Sequence, residues 1–189
     1  MRGVRFWTAG RSTGIVPKVL CHLTGAMSET TRRNPGSVEA EVVAWFFEEY
    51  FPQWVAAAQG DADPAFIHRF WGTPMHVSVS GTSFWCRTEA DVSAFLAETH
   101  RPLRENDYHH TVVPDRKVTV YSPSGAAIEA IWSRRRADEF EIQRLAVHFE
   151  IARLGDGWRV VGIQGHDTRR DTLAEAWADQ AAERIDRPA

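Results

Sequence analysis

Apolar residues recur at helical spacing from Val38: Val38, Val42, Trp45 and Phe46, then Phe47, Tyr50, Phe51, Trp54 and Val55. A stripe this wide belongs to a helix buried on most of its surface. Ser37 stands where a cap belongs. Pro52 inside the pattern predicts a kink or break, because proline has no N–H and its ring crowds the carbonyl one turn back. Asp63-Pro64 reads as a second helix start, with Phe66, Ile67 and Phe70 turned inward and Gly72-Thr73-Pro74 as the stop. Met75 to Ser80 then alternates: Met75, Val77 and Val79 against His76, Ser78 and Ser80, the pattern of a half-buried strand. Gly81-Thr82 turns into a second strand, Ser83 to Arg87. Thr88-Glu89-Ala90-Asp91 resembles a capping box with Asp in place of Glu. The helix behind it buries Val92, Phe95, Leu96 and Thr99, and Pro102 marks its expected end.

Four long strands follow, at about 108–121, 126–136, 141–154 and 158–166. Connections as short as Ser122 to Gly125, Ala137 to Phe140 and Gly155-Asp156-Gly157 force antiparallel neighbours. A last helix over about 171–186 shows a narrow stripe of Leu173, Trp177, Ala181 and Ile185. The expectation is an α+β fold: a curved antiparallel sheet of about six strands wrapped around three helices, plus a C-terminal helix.

The register of the central hairpin follows from its apolar residues. Pairing Arg136 with Glu141 sets Arg134 against Gln143, Trp132 against Leu145, Ala130 against Val147, Ile128 against Phe149 and Ala126 against Ile151. All the large apolar residues but Ile131 and Ile142 then share one face, and a slip of one residue would scatter them. The other face carries Glu129 across from His148, Ser133 across from Arg144, and Arg135. Val118 and Val120 extend the apolar face. His110 and Val112 join it unless Pro114 makes a bulge, which would invert both. The last hairpin has two readings. A three-residue Gly155-Asp156-Gly157 loop puts Val161 and Ile163 on the apolar face and Gln164 and His166 on the other. A two-residue Asp156-Gly157 turn puts Trp158, Val160, Gln164 and His166 on the apolar face.

Composition narrows the classes. The 189 residues, 43% hydrophobic, can bury a real core. A net charge of −3 and a pI near 6.2 argue against a dedicated nucleic-acid binder. No apolar stretch approaches the roughly 18 residues of a membrane span. Cys21 and Cys86 have no metal-type spacing, and a reducing cytoplasm is the simplest compartment. Residues 1–26 carry Arg2, Arg5, Arg11 and Lys18 and no acid. They read as a stretch ahead of a natural start at Met27, as a disordered basic arm, or as a targeting segment. The expected organisation is an extension over 1–36, a domain over 37–168, and a C-terminal helix and tail over 169–189.

Asp107-Tyr108-His109-His110 is the densest polar cluster. Successive strand residues face opposite ways, so at most one His of the pair lines a pocket, and His110 is the candidate. A buried His near a carboxylate suits a general base; the plainer reading is a strand entry open to water. Arg134 and Arg136 share the apolar face beside Trp132, where a guanidinium can hold an anionic ligand group; the plainer reading is a solvated hairpin end. Glu129 and His148 suit an interface or surface pair. Tyr108, His110, Arg134 and His166 form the candidate catalytic set. Trp54, Trp71, Met75, Trp132, Phe149 and Gln164 form the candidate ligand wall, suited to a flat apolar ligand. No Gly-x-Ser-x-Gly, phosphate loop, dinucleotide fingerprint or His-Glu-x-x-His occurs, so no cofactor and no metal are expected.

The element order, the aromatic first helix, the hairpin between the second and third helices, and the closing Gly157-Trp158-Arg159-Val160-Val161 resemble the NTF2-like superfamily, in particular its SnoaL-like bacterial branch, over about residues 38–167. The resemblance implies a curved sheet closing over helices around a pocket, and often a homodimer through the outer sheet face. The superfamily holds isomerases, dehydratases, epoxide hydrolases and polyketide cyclases beside non-enzymatic members, so fold alone does not choose. Two functions stand open. One is a protein binding a small apolar or aromatic ligand. The other is a cofactor-independent lyase, isomerase or hydrolase using the His/Arg/Tyr set.

Overall fold

The computed structural model describes residues 35–185, so the expectations for residues 1–34, Cys21 and Met27 among them, lie outside the described residues. The first helix begins at Pro35, ahead of Ser37, and runs without a break to Gln59 as α1 (Pro35–Val43), a π-helical segment (Ala44–Tyr50) and α2 (Phe51–Gln59). The π-helical segment is how the chain tolerates Pro52. The Phe51 N–H reaches back to the Phe46 carbonyl, and the wider turn makes room for the proline ring that follows. Gly60 ends the helix at φ +96°, where its N–H and that of Asp61 return to Ala56. A short 3₁₀ helix (Pro64–Arg69) follows, capped by Asp63, whose carboxylate accepts from Ala65 N at 2.9 Å.

Next come β1 (Trp71–Val79), β2 (Thr82–Cys86) and α3 (Glu89–Glu105). The capping box forms: Thr88 Oγ1 accepts from Asp91 N at 3.2 Å, and Asp91 returns a carboxylate oxygen to Thr88 N at 2.9 Å. That arrangement holds the Asp91 carboxyl below its ordinary range, chiefly through the backbone N–H groups of Arg87 and Thr88. The helix does not stop at Pro102 but carries it to Glu105.

Seven strands form one curved, unclosed sheet in the order β2-β1-β7-β6-β5-β3, with β4 (Arg116–Ser122) also paired to β5 (Gly125–Arg135). The remaining strands are β3 (His110–Val112), β6 (Glu141–Leu154) and β7 (Gly157–Asp167). One pairing departs from an all-antiparallel sheet: β1 runs parallel to β7, with Val77 beside Ile163 and Ser78 beside Gln164.

The β5–β6 hairpin has the expected register, from Ala126 opposite Ile151 to Arg134 opposite Gln143. It changes at the open end. Arg135, not Arg136, pairs with Glu141, and Ile142 is the extra residue of a bulge that packs inward against the core. Arg136 therefore leaves the apolar face and lies half-buried near Asp107 and Asp138.

Two more bulges decide which residues face inward. Val112 stands opposite Ser133 and Arg116 opposite Ala130, so Val113, Pro114 and Asp115 together face only Ile131 and Trp132. This is the inversion that Pro114 made possible. Val118 stays inside, whereas His110 and Val112 turn outward. In the last hairpin Leu154 pairs with Gly157, which takes φ +134°, across a two-residue Gly155-Asp156 turn. Val161 is then the extra residue between Val160 and Gly162. The three-residue-loop register holds after the bulge, with Gln164 and His166 outward; before it neither expected pairing forms, though Trp158 and Val160 face inward as the two-residue reading had them.

The core fills the concave face. Phe46 is fully buried, with Phe47, Tyr50 and Phe149 rings 4.8–5.0 Å away. A second, smaller cluster lies on the outer face. There α4 (Leu173–Ile185) sets Leu173, Ala176 and Trp177 on Ile131 and Ala146. Asp115, pushed out by the Pro114 bulge, accepts from the Leu173 N–H at 2.9 Å and puts a carboxylate at the start of that helix.

Removing the Phe46 ring is expected to cost about 3–5 kcal/mol of unfolding free energy. Removing the exposed Tyr121 ring should change it by less than about 0.5 kcal/mol. Urea denaturation of Phe46→Ala and Tyr121→Ala reads both, and similar losses in the two would contradict this account of the core.

Candidate functional site

Between the aromatic helix, α3 and the concave face of β5–β7 lies a cavity of about 210 Å³. Trp54 and Tyr50 enter it from the first helix and Trp71 from the start of β1. Trp132, Phe149 and Ile163 come from the ladder, each put there by the inward phase of its strand. Phe95 and Thr99 close it from α3. Trp132 and Phe149 are 5.8 Å apart, and Trp54 lies edge-on to Trp132 at 5.8 Å.

One charged side chain sits within this apolar wall. Arg134 is 9% exposed and stacks over the Trp54 ring at 4.9 Å. Its Nη1 donates to Gln143 Oε1 at 2.8 Å, and Gln143 Nε2 donates to Asp167 Oδ1 at 2.8 Å. Asp167 reaches this row because the Val161 bulge turns it inward opposite Leu145. Arg134 Nε is buried without a hydrogen-bond partner. Burial pulls the guanidinium pKa down to about 10, so the group stays charged at neutral pH.

Tyr50 supplies a second polar atom. Its hydroxyl accepts from Trp71 Nε1 at 3.3 Å, and burial pushes its pKa far up, so it remains a neutral phenol. At the mouth the cavity shares Pro102, Gln143, His166 and Asp167 with an open groove of about 1100 Å³. Among the described residues three arginines line that groove: Arg144 pairs with Glu141 and Asp171, Arg170 pairs with Asp179, and Arg169 is exposed.

The expected site residues separate. Arg134, Trp54, Trp71, Trp132 and Phe149 line the cavity. Met75 is fully buried in the core beside it. Tyr108 is buried behind Trp54, edge-on at 6.2 Å, with its hydroxyl 2.7 Å from Thr111 Oγ1. His110 lies on the outer face opposite Arg135, 3.6 Å from Glu139, because Pro114 inverted the strand. Gln164 is exposed on the outer face opposite His148. His166 reaches the cavity rim, but its ring turns to Trp177 at 5.0 Å. Glu129 and His148 pair at 3.7 Å on the outer face, and α4 covers the neighbouring Ile131–Ala146 part of the face expected to meet a second copy.

Tyr50, Gln143 and Asp167 line the cavity but stand outside the expected site set, and His100, which packs on Trp54 without lining the cavity, is a further polar neighbour. Gln143 was legible, since it stands opposite Arg134 in the expected register. Asp167 was legible in one of the two readings of the last hairpin, since the three-residue loop that turns Gln164 and His166 outward turns Asp167 inward opposite Leu145. His100 is 1% exposed on α3, edge-on to Trp54 at 4.8 Å, and neither ring nitrogen has a hydrogen-bond partner. Burial, with Arg104 and Arg134 nearby, lowers its pKa to about 4, so the ring is neutral. Among the described residues no three His, Cys, Asp or Glu side chains converge as metal ligands, and no helix is long and apolar enough to cross a membrane.

The comparisons bear on this geometry at the level of family and fold. Residues 40–168 match the family model described as NTF2-like protein (DUF6841). Solved structures agree in fold. An NTF2-like protein with a cystatin-like fold from Novosphingobium aromaticivorans is 19% identical, with 74% of this chain and 87% of that chain covered and a TM-score of 0.51. An NTF2-like protein of unknown function from Pseudomonas putida is 10% identical, with 69% and 87% covered and a TM-score of 0.51. The yeast UBP3-associated protein BRE5 is 7% identical, with 69% and 98% covered and a TM-score of 0.52. No curated protein matches the sequence.

His100 gives a pH prediction. Its folded pKa of about 4 lies below the unfolded value of about 6.5. The unfolded chain therefore binds the extra proton, and stability falls as pH drops from about 6.5 toward 4. His100→Leu should lose less stability between pH 7 and pH 4.5 than the wild type, read from urea midpoints at both pH values. An equal or larger loss in the variant would contradict the assignment.

Proposed function

The chain belongs to the NTF2-like family DUF6841, and we propose that it binds a small aromatic or otherwise flat apolar molecule in the cavity of its concave face. One observation carries this reading: the 210 Å³ cavity is walled by Trp54, Trp71, Trp132 and Phe149 yet holds the side chain of Arg134. A core built only for stability gains nothing from a buried guanidinium, whose desolvation is costly. An engineered apolar cavity of about 150 Å³ takes up benzene, so this one suits a molecule of one or two rings. Entry is through the groove between the end of α3 and the ends of β6 and β7.

A second reading, cofactor-independent lyase, isomerase or hydrolase chemistry, is favoured by one feature. A rim carboxylate, Asp167, and a neutral phenol, Tyr50, share the cavity, which is a base and an acid without a cofactor. The polar set differs from the His/Arg/Tyr set expected from the sequence, because His110 faces away. This reading predicts turnover that Asp167→Asn abolishes; turnover unchanged in that variant counts against it.

The binding reading is tested with a panel of one- and two-ring aromatics, read by thermal shift and by tryptophan fluorescence. At least one compound should raise the melting temperature by a few degrees at saturation and quench the wall tryptophans. Val147→Phe, which narrows the cavity, should weaken that compound about tenfold or more. Absence of any shift or quench across the panel, or binding unchanged in Val147→Phe, would overturn it.

A further inference from the structure

We infer that the ligand is a compact monoanion, an aromatic or alicyclic carboxylate, whose carboxylate is received by Arg134 while its ring lies among Trp54, Trp132 and Phe149. The inference rests on the binding reading above and specifies the ligand's chemistry.

The argument begins with the donors of one side chain. A guanidinium offers five N–H groups in a rigid fork. In Arg134 one goes to Gln143 Oε1, and Nε has no acceptor. The cationic face is used by Trp54 at 4.9 Å. Among the described residues no carboxylate forms an ion pair with Arg134; Asp167 is linked to it only through the Gln143 amide. Of the arginines lining the groove outside the opening, Arg144 is paired with Glu141 and Asp171 and Arg170 with Asp179, while Arg169 is exposed to water and does not line the cavity. Arg134 is therefore the buried cation of the cavity wall, with donors left to give.

The cavity sets the charge and size of what it can take. One guanidinium balances one negative charge, and the rest of the wall is mainly indole, phenyl and aliphatic carbon, with the Tyr50, Ser80 and Thr99 hydroxyls, Gln143 and, at the rim, His166 and Asp167 as its other polar groups. A phosphate dianion would bring a second charge into that wall, where among the described residues no second arginine or lysine lines the cavity to meet it. A carboxylate matches the fork, and its hydrogen bonds are charge-assisted and sheltered from water. Gln143 has a defined orientation: its oxygen faces Arg134 and its nitrogen faces Asp167. It holds the guanidinium in place for the ligand. Asp167, at the rim, is a like charge toward the same ligand and limits its affinity.

Two side chains of one network thus have opposite predicted signs, which a merely structural role would not produce. The test uses 2-naphthoate and its neutral amide, 2-naphthamide, titrated by calorimetry at pH 7.5 into wild type, Arg134→Gln and Asp167→Asn. Wild type should bind the acid at least about tenfold more tightly than the amide. Arg134→Gln should lose that preference while keeping its affinity for the amide. Asp167→Asn, which keeps the acceptor for Gln143, should tighten the acid about threefold and leave the amide unchanged. Where Arg134→Gln does not fold, the wild-type preference and the Asp167→Asn shift decide. Equal wild-type affinities for acid and amide, or a preference that survives in Arg134→Gln, would overturn the anion inference and leave the apolar pocket standing. Failure of both compounds to bind wild type would overturn the pocket reading and this inference together.

Discussion

Every placement in this fold depends on the ladder between β5 and β6. Once Ala126 stands opposite Ile151, the two-residue period of a strand assigns each later side chain to one face. Ile128, Trp132, Phe149 and Val147 go to the concave side, where the aromatic first helix covers them. Glu129, Ser133 and His148 go to the other. Arg134 is carried inward by the same count, one step beyond Trp132. The fold does not select a cation for the cavity. The ladder delivers whatever residue stands at that position, and the surroundings then accommodate it.

That accommodation is local. A buried guanidinium is expensive without partners. Trp54 meets its face, Gln143 its Nη1, and Asp167 its charge at one remove. Each partner comes from a different element: the first helix, β6 and the last residue of β7. Bringing them together requires the π-helical turn that carries the first helix past Pro52, so that Trp54 still belongs to it. It also requires the Val161 bulge, which turns Asp167 inward.

The sequence was informative wherever large apolar residues repeat over many positions. The long hairpin could be registered residue by residue, because a slip would have moved Trp132, Phe149 and Ile151 to water. The aromatic helix and the Thr88–Asp91 cap were legible for similar reasons, one from periodicity and one from a local hydrogen-bond pattern. What was not legible traces to single inserted residues. A bulge shifts parity by one and leaves no compositional mark unless a proline or glycine stands there. Pro114 did mark its bulge and left the side of His110 open; Val161 and Ile142 marked nothing. The polar residues of the site lie just beyond such points, so the candidate site was read less well than the core. His110 was the pocket candidate and faces outward, while the side of Asp167 hung on the two open readings of the last hairpin, and it faces inward. Tyr50 and His100 were hidden differently, since each occupies a core position in an amphipathic helix and only neighbours distant in the chain show its environment.

The central claim is that the concave face of the ladder, with Arg134 at its open end, is where a ligand is held. A crystal structure of the protein soaked with 2-naphthoate tests it most directly. The account predicts difference density for the ring system between Trp54, Trp132 and Phe149, with the carboxylate within hydrogen-bonding distance of Arg134. Density for the compound on the outer face beside the Glu129–His148 pair, with the cavity unchanged, would contradict it.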